Sequence, residues 1–457
     1  MTQQQPAFEE AQIERTIQEI RSALLAGRFQ DAIAALTNMH PADRADAFSE
    51  LDDKAQAALL PRLDLPVAAD LLEELEDEEA ADIAQTMPTE LLADVLDEME
   101  PDEAADVLGD LPADQAALAL AEMEDADEVI PLLGHPDETA GGLMTTSYLA
   151  LRPHTTAGQA IEFLRQVDPE EETPYYINVV DRDRRLAGLV DLRDLLLAEP
   201  HALVETFMDP DVIHVTTDAD QEEAARIMSR YDLAALPVVD QDNVLRGVIT
   251  YDDIVDVLEE EATEDIYRLA NVSDPDLGVE SSVGLSVRRR LPWLYLNTLT
   301  ALFAAWVISN FEGLFRQVAV LAVFQSVVAG MGGNAGTQSL AIFVRAIALG
   351  EISFQDSWKT VLKEAAVGVI QGLSVGLVVG FAVYVWRGSV ALGAILALAL
   401  LGNMLVAVIV GTLVPLVLKA LKQDPALASS VLVTAVTDSV GFAIFLGLAA
   451  LFLPLLE

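Results

Sequence analysis

After Arg288-Arg289-Arg290 the charges nearly vanish. Residues 288–457 hold 7 acidic and 10 basic side chains, whereas residues 1–287 hold 67 and 16. The formal charge is therefore +3 on one side of that point and −51 on the other, within a net charge of −48. A helix rises about 1.5 Å per residue, so roughly twenty apolar residues cross a hydrocarbon core of about 30 Å. Only structures that satisfy every backbone polar group internally survive there, and apolar runs of this length point to helices. The charge-poor part predicts five spans, over residues 291–310, 318–344, 365–386, 389–418 and 426–454.

The flanking charges orient these spans. With the N-terminus inside, one side carries Arg288, Arg289, Arg290, Arg345, Lys359, Lys363, Lys419 and Lys422. The other carries Arg316 and Arg387. Basic residues favour the cytoplasmic face, which puts the acidic half in the cytoplasm. The start, MTQQQPAFEE, is polar and reads as no signal peptide, so insertion would use an internal segment. So acidic a half repels nucleic acid and attracts cations, divalent ones most. The chain has no cysteine, which removes disulfides, thiolate metal sites and thiol nucleophiles. Its five histidines, His40, His135, His154, His201 and His214, are too scattered to form a metal site. No catalytic constellation and no Walker motif is present, so an enzyme or ATP-driven pump is not expected.

The acidic half contains two repeats. Between residues 65 and 123 the phrases VAADLLEEL, EAADIAQTM, LLADVLDEM, EAADVLGDL and QAALALAEM recur every twelve residues. Breaks fall at Pro66, Pro88, Pro101 and Pro112, and proline suits the first turn of a helix. A unit this short cannot bury its own apolar face, which predicts a superhelix of stacked short helices. Asp70, Asp82, Asp94 and Asp106 recur at one place in the unit, mostly as solvated faces.

The second repeat is a βαββα duplication between residues 141 and 260. PYYINVVDRDRRLAGLVDLRDLL matches ALPVVDQDNVLRGVITYDDIVDV with an offset of 59, from Gly188 to Gly247 and from Asp194 to Asp253. This resembles a tandem pair of CBS domains. Such pairs often bind adenine nucleotides through a Thr/Ser-x-x-Asp at the end of the last strand. Thr250 and Asp253 supply it in the second copy; the first has Arg193 and Asp194, with Asp191 in place of the hydroxyl. A carboxylate there would repel phosphate. The second copy also carries a dense acidic run through Asp253, Asp256, Glu259, Glu260, Glu261, Glu264 and Asp265. Like charges three and four apart destabilise a helix unless cations screen them. The run reads either as a solvated linker or as carboxylates for a hard cation.

Two features inside the spans carry chemistry. GMGGNAGTQ, residues 330–338, has four glycines in seven residues, which would loosen or unwind a helix or else permit close packing. Asp438 lies near the middle of the last span, where a charge costs roughly 2.5–3.5 kcal/mol on insertion scales. No basic residue lies at matching depth, so a carboxylate facing a wet path for cations is expected. Thr434 stands one turn away, and Asn334 could offer oxygen from the second span.

Helical superhelix, CBS pair, acidic connector and five spans, in that order, resemble the MgtE family of magnesium channels and transporters. AGGLM (140–144), GGNAGTQS (332–339) and DPALASSVLVTAVTD (424–438) stand where that family has its signatures. Ser430-Val431 departs from the usual Gly-Pro or Asn-Pro. The resemblance implies a multidomain membrane protein: an N-terminal α-helical superhelix (1–136), tandem α/β CBS domains (137–260), a connecting plug helix (261–290) and a five-helix transmembrane domain (291–457). It implies a homodimer in the bacterial inner membrane, with a pore on its axis lined by Asp438, Thr434, Asn334 and Gly330. Cytosolic Mg²⁺ sites carry over to Asp220, Glu222, Asp232, Asp253, Asp256, Glu261, Glu264, Asp265 and Asp424, and to Asp70, Asp102 and Asp106. It further implies Mg²⁺ as cargo and regulator, and ATP at the CBS pair. Oxygen ligands suit Mn²⁺ and Ca²⁺ as well, so another divalent cation, or a non-conducting CBS sensor, stays open.

Overall fold

The architecture comes from a computed structural model, which describes residues 6–75, 77–166, 176–272, 277–278, 281–352, 357–427 and 429–456. Parts of the sequence motifs, residues 174–175, 273–276 with 279–280, and 428, lie outside the described residues. The chain forms two compact units, Met1–Val257 and Leu258–Glu457.

The first unit opens with helices α1 (Pro6–Leu25), α2 (Phe29–Thr37), α3 (Pro41–Ser49) and α4 (Asp53–Leu59). The repeat follows as α5 (Leu65–Glu73), α6 (Asp77–Gln85), α7 (Thr89–Leu96), α8 (Pro101–Asp110) and α9 (Ala113–Glu122). Their first residues step by twelve. Pro66 and Pro101 occupy the opening turn of α5 and α8, while Pro88 and Pro112 are the N-caps of α7 and α9. Alternate helices pack together, α3 on α5, α5 on α7, α7 on α9 and α6 on α8. That is the superhelix the repeat predicts. Leu71, Leu72, Leu92, Leu96, Val107 and Leu108 fill its core. A last short helix, α10 (Ala126–Val129), packs on α8.

The duplication forms two three-stranded sheets. β1 (Ala150–Leu151), α11 (Ala157–Leu164), β2 (Tyr176–Val180), β3 (Leu186–Asp191) and α12 (Leu192–Leu197) make the first copy. β4 (Val215–Thr216), α13 (Gln221–Tyr231), β5 (Ala235–Val239), β6 (Leu245–Thr250) and α14 (Tyr251–Leu269) make the second. In each sheet the first strand is parallel to the second and the second antiparallel to the third. The offset of 59 extends to the irregularities: the register shifts after Val179 and after Val238. Both hairpin turns hold a left-handed residue, Arg184 and Asn243. The copies join through Leu186 N–H to the Asn243 carbonyl and Leu245 N–H to the Arg184 carbonyl, each 3.0 Å.

The second unit is helical: α15 (Val283–Ser309), α16 (Glu312–Gln317), α17 (Leu321–Ala348), α18 (Ser357–Arg387), α19 (Val390–Ala420) and α20 (Ser429–Leu451). Four of these, α15, α18, α19 and α20, are long and apolar enough to cross a membrane. α17 has 28 residues, but its polar and glycine run lowers its hydropathy. It packs on α19 and α20 all the same.

Two sequence expectations change here. The connecting helix over 261–290 is not one helix. α14 continues out of the CBS pair only to Leu269, where Asn271 turns left-handed, and α15 begins at Val283, capped by Ser282. The glycine run also does not unwind: α17 is helical throughout. Its glycines serve packing instead. A Cβ on Gly336 would stand 2.6 Å from the Val433 side chain, and one on Gly411 of α19 would stand 2.4 Å from the Gly336 carbonyl. Those two helices can meet so closely only without side chains.

Candidate cation sites

The repeat and the CBS pair share a knot of carboxyls. Asp102 opens α8 and is buried; Glu103 and Asp106 follow on the same helix. Asp253, in the first turn of α14, accepts hydrogen bonds from the Thr250 hydroxyl at 2.7 Å and the Thr250 N–H at 3.1 Å. Burial pushes the Asp102 carboxyl well above the ordinary carboxylate range, and the charges of Asp253 and Glu100 add to it. Burial raises Glu103 to about 10, with Asp102, Asp106, Asp253 and Asp77 contributing. It raises Asp106 to about 8, helped by Asp77, Asp137, Asp110 and Asp253. Asp253 rises to about 6, again chiefly by burial, against the Thr250 hydrogen bonds. Oδ1 of Asp102 is buried without a hydrogen-bond partner. A buried oxygen of this kind is costly to leave unpaired, and a hard cation is the partner that carboxylates suit.

The other ligands expected from sequence divide. Asp220 caps α13 through the Glu222 N–H at 2.9 Å, and Asp232 ends the same helix in a left-handed conformation. Glu222 lies in its first turn. Asp70 instead meets Arg44: the guanidinium, 5% exposed as a residue, reaches the Asp70 carboxylate at 3.2 Å. A partner 26 residues earlier thus shares the carboxylate that the resemblance offers to a metal. Asp256 is exposed. Among the described residues, no group of three or more histidine or acidic side chains is disposed to hold one metal ion. The candidate ligands stand as facing sets, not as a closed shell.

A second set lies in the membrane unit. Arg268, near the end of α14, pairs with Glu264 on its own helix and with Asp424 at 2.5 Å. Asp424 also caps the turn before α20 by accepting the Ala426 N–H at 2.8 Å. Asp265 is raised to about 6 by burial, then by the charges of Asp424 and Glu261. The Ser430 hydroxyl donates to the Asn271 side-chain oxygen at 3.0 Å. Ser430, the family departure, thus ties the end of the connector to the start of α20.

Inside the bundle, Asp438 is the tenth residue of the 23-residue α20 and is half-buried. Thr434, one turn earlier, is exposed, as are Gly330 and Asn334 on α17. A Cβ on Gly330 or Gly333 would meet nothing within 4 Å. The glycine run therefore has a packed side, Gly332 and Gly336, and an open side, Gly330, Gly333 and Asn334.

Between the CBS copies lies a cavity of about 340 Å³, lined by Tyr148, Tyr176, Asn178, Thr250, Tyr251 and Asp252 among others. Thr250 is where the sequence put it. Arg193 and Asp194 do not line it; they stand exposed on α12, which Asp191 caps by accepting the Arg193 N–H at 2.7 Å.

Family models match in the same order along the chain: an MgtE intracellular N domain at 39–138, CBS domains at 140–201 and 204–260, and a divalent cation transporter domain at 325–448. A magnesium transporter MgtE from Thermus thermophilus is 40% identical over 327 residues, 71% of this chain and 72% of that one. The chain belongs to the MgtE family. The MgtE of Enterococcus faecalis is 35% identical over 72% of both chains. A crystal structure of an MgtE cytosolic domain in complex with ATP is 37% identical, with a TM-score of 0.50, covering 53% of this chain and 99% of that one. MgtE membership accounts for the helical N domain, the CBS pair and the apolar bundle together.

Sequence reading missed three residues. Glu103 opens the EAAD phrase next to Asp102 but has neither the aspartate periodicity that singles out Asp106 nor the family motif that singles out Asp102. Arg268 and Asn403 were passed over because single polar residues give no pattern. Only a partner far away in sequence gives either one meaning.

Proposed function

We propose that the chain conducts Mg²⁺ inward across a membrane and is closed by Mg²⁺ on the side of its acidic domains. The observation that carries the closing step is the carboxyl knot of Asp102, Glu103, Asp106 and Asp253, raised by burial and mutual repulsion, with an unpartnered Asp102 oxygen. Bound there, a divalent cation would supply the charge that lets these carboxyls ionise and draw together. Asp102, Glu103 and Asp106 come from α8 and Asp253 from α14, so their union ties the repeat to the helix leading toward the membrane. Asp256, Glu261, Glu264 and Asp265 continue the same chemistry along that helix, Asp424 adds a carboxylate from the turn before α20, and Asp220, Glu222 and Asp232 offer a further set on α13. Ligands that bind one state better shift the population toward it. Repulsion among the acids frees the connector at low Mg²⁺, and its neutralisation holds the connector against Asp424 at high Mg²⁺.

The path itself runs past Asp438, Thr434, Asn334 and Gly330. Mg²⁺ dehydrates reluctantly, so Asp438 engages it through retained waters, supported by the open side of the glycine run. All five long helices α15, α17, α18, α19 and α20 span the membrane, the protein is a homodimer in a bacterial inner membrane, and the acidic domains are cytoplasmic. The CBS cavity, with Thr250 and three tyrosines, accepts an adenine nucleotide, a reading supported by the ATP complex of a related cytosolic domain.

Liposomes containing the purified chain test this reading. Mg²⁺ flux should be present and should fall as Mg²⁺ rises on the side of the acidic domains. Asp438→Ala should abolish the flux. Neutralising Asp253, Asp256 and Glu261 together should leave it open at high Mg²⁺; unaltered closure in that triple variant would refute the gating.

A further inference from the structure

Asn403 lies in the middle of α19, in a run of apolar residues, and is fully buried. Its Nδ2 donates to the Val328 carbonyl of α17 over 2.8 Å. The amide sits in a notch with a glycine on each side. A Cβ on Gly332 of α17 would stand 2.2 Å from Nδ2, and a Cβ on Gly441 of α20 would stand 2.6 Å from it. Oδ1 has no hydrogen-bond partner. It faces the same two glycines, at 3.1 and 2.7 Å from those Cβ positions, where only weak Cα–H contacts are on offer. A half-satisfied amide in an apolar bundle carries a desolvation penalty that a leucine of similar size would not. Packing alone therefore does not account for asparagine at this place.

We propose that Asn403 is a positioning residue for cation selection: it fixes the separation of α17 and α20, the two helices that carry Asn334 and Asp438. This rests on the reading that those residues line the path. Gly332 is two residues from Asn334 and Gly441 is three from Asp438, so each side of the notch lies within one turn of a path residue. The hydrogen bond to Val328 locks α17 to α19, and the glycine contact seats α20 on the same amide. Mg²⁺ demands a compact, near-octahedral oxygen shell, whereas Ca²⁺ accepts larger and more variable ones. A path that prefers the smaller ion needs its walls held at a set distance. Loosening the notch relaxes that distance and admits the larger ion.

The test is the ratio of Mg²⁺ to Ca²⁺ flux through the full-length chain in liposomes, which does not depend on the amount of protein inserted. Asn403→Leu, which removes the donor at similar volume, should lower the ratio by about tenfold, as sub-ångström to ångström displacements in a positioned site do. Gly441→Ala, which presses on the amide from the opposite helix, should lower it too. Asn403→Ser, which keeps a short donor, should fall between. Gly447→Ala, on α20 where a Cβ meets nothing within 4 Å, should leave it unchanged. A wild-type ratio in Asn403→Leu and Gly441→Ala would overturn the proposal while leaving the transport reading intact. Absence of all three notch variants from the membrane would overturn it in favour of a folding role. A wild-type chain without Mg²⁺ flux would overturn the transport reading, and this inference with it.

Discussion

Arg44 and Asp70 show how a single side chain can give a carboxylate a structural role beside the one its sequence suggests. The sequence repeats aspartate at a fixed place, and one copy faces a buried guanidinium that needs it. Removing one partner of such a pair leaves a buried charge uncompensated. Because the Asp70 side chain is half in solvent, Asp70→Asn should cost about 1–3 kcal/mol. Its thermal unfolding midpoint should fall, with the Mg²⁺ dependence of that midpoint unchanged; an altered Mg²⁺ response would return Asp70 to the ligands. The knot at Asp102 behaves otherwise. Asp106, Glu103 and Asp253 rise from 3.8, 4.5 and 3.8 to about 8, 10 and 6. Between its unfolded and folded values each carboxyl binds more protons folded than unfolded, so stability falls as pH rises through that window. In metal-free solution the first unit should therefore be most stable near pH 4 as far as these groups decide. It should lose stability up to about pH 6 through Asp253, and on to about pH 8 and 10 through Asp106 and Glu103. Thermal midpoints measured against pH with a chelator present check this; a midpoint that rises over that range would contradict the assignment.

At the scale of elements, glycine placement decides which helices can touch. Gly411→Ala would set a Cβ 2.4 Å from the Gly336 carbonyl, a backbone atom that cannot swing away. Such overpacking costs about 1–3 kcal/mol. Gly333→Ala meets nothing and, on helix propensity alone, should stabilise α17 by up to about 1 kcal/mol. The two variants should diverge in detergent thermal melts, Gly411→Ala lower and Gly333→Ala at or above wild type. Much at this scale was legible beforehand. Pro66, Pro88, Pro101 and Pro112 mark the helix starts because proline tolerates the first turn and its approach. The offset of 59 gave the strands because a duplicated sequence repeats its pleat. The glycine run was legible as unusual but ambiguous, since unwinding and close packing share one composition and only the facing residues on α19 and α20 separate them. The break after Leu269 gave no signal of its own, because the acidic run that drew the connector ends at Asp265 and charge alone does not mark a helix end.

At the scale of the whole molecule, the formal charge of −51 over residues 1–287 covers the first unit and runs on through the rest of α14, and so acidic a stretch attracts cations. Two effects of added salt must be kept apart. Screening acts on all surface acids, depends on ionic strength and is nearly complete beyond about 8 Å at physiological salt. Specific binding, which the proposed function assigns to the knot on α8 and α14, would give a stabilisation that grows as RT ln(1 + [L]/Kd), about 2.7 kcal/mol at a hundredfold excess over Kd. Mg²⁺ should therefore raise the thermal midpoint of the full chain well beyond KCl at equal ionic strength. It should also flatten the pH dependence argued above, because carboxyls that hold a cation no longer need protons to stay buried. Asp102→Asn with Asp106→Asn should remove the difference between Mg²⁺ and KCl while keeping the general effect of salt. If Mg²⁺ and KCl act alike on the wild type, the acidic half is only a solubilising surface, and closure must be sought at Asp424 and its neighbours in the membrane unit.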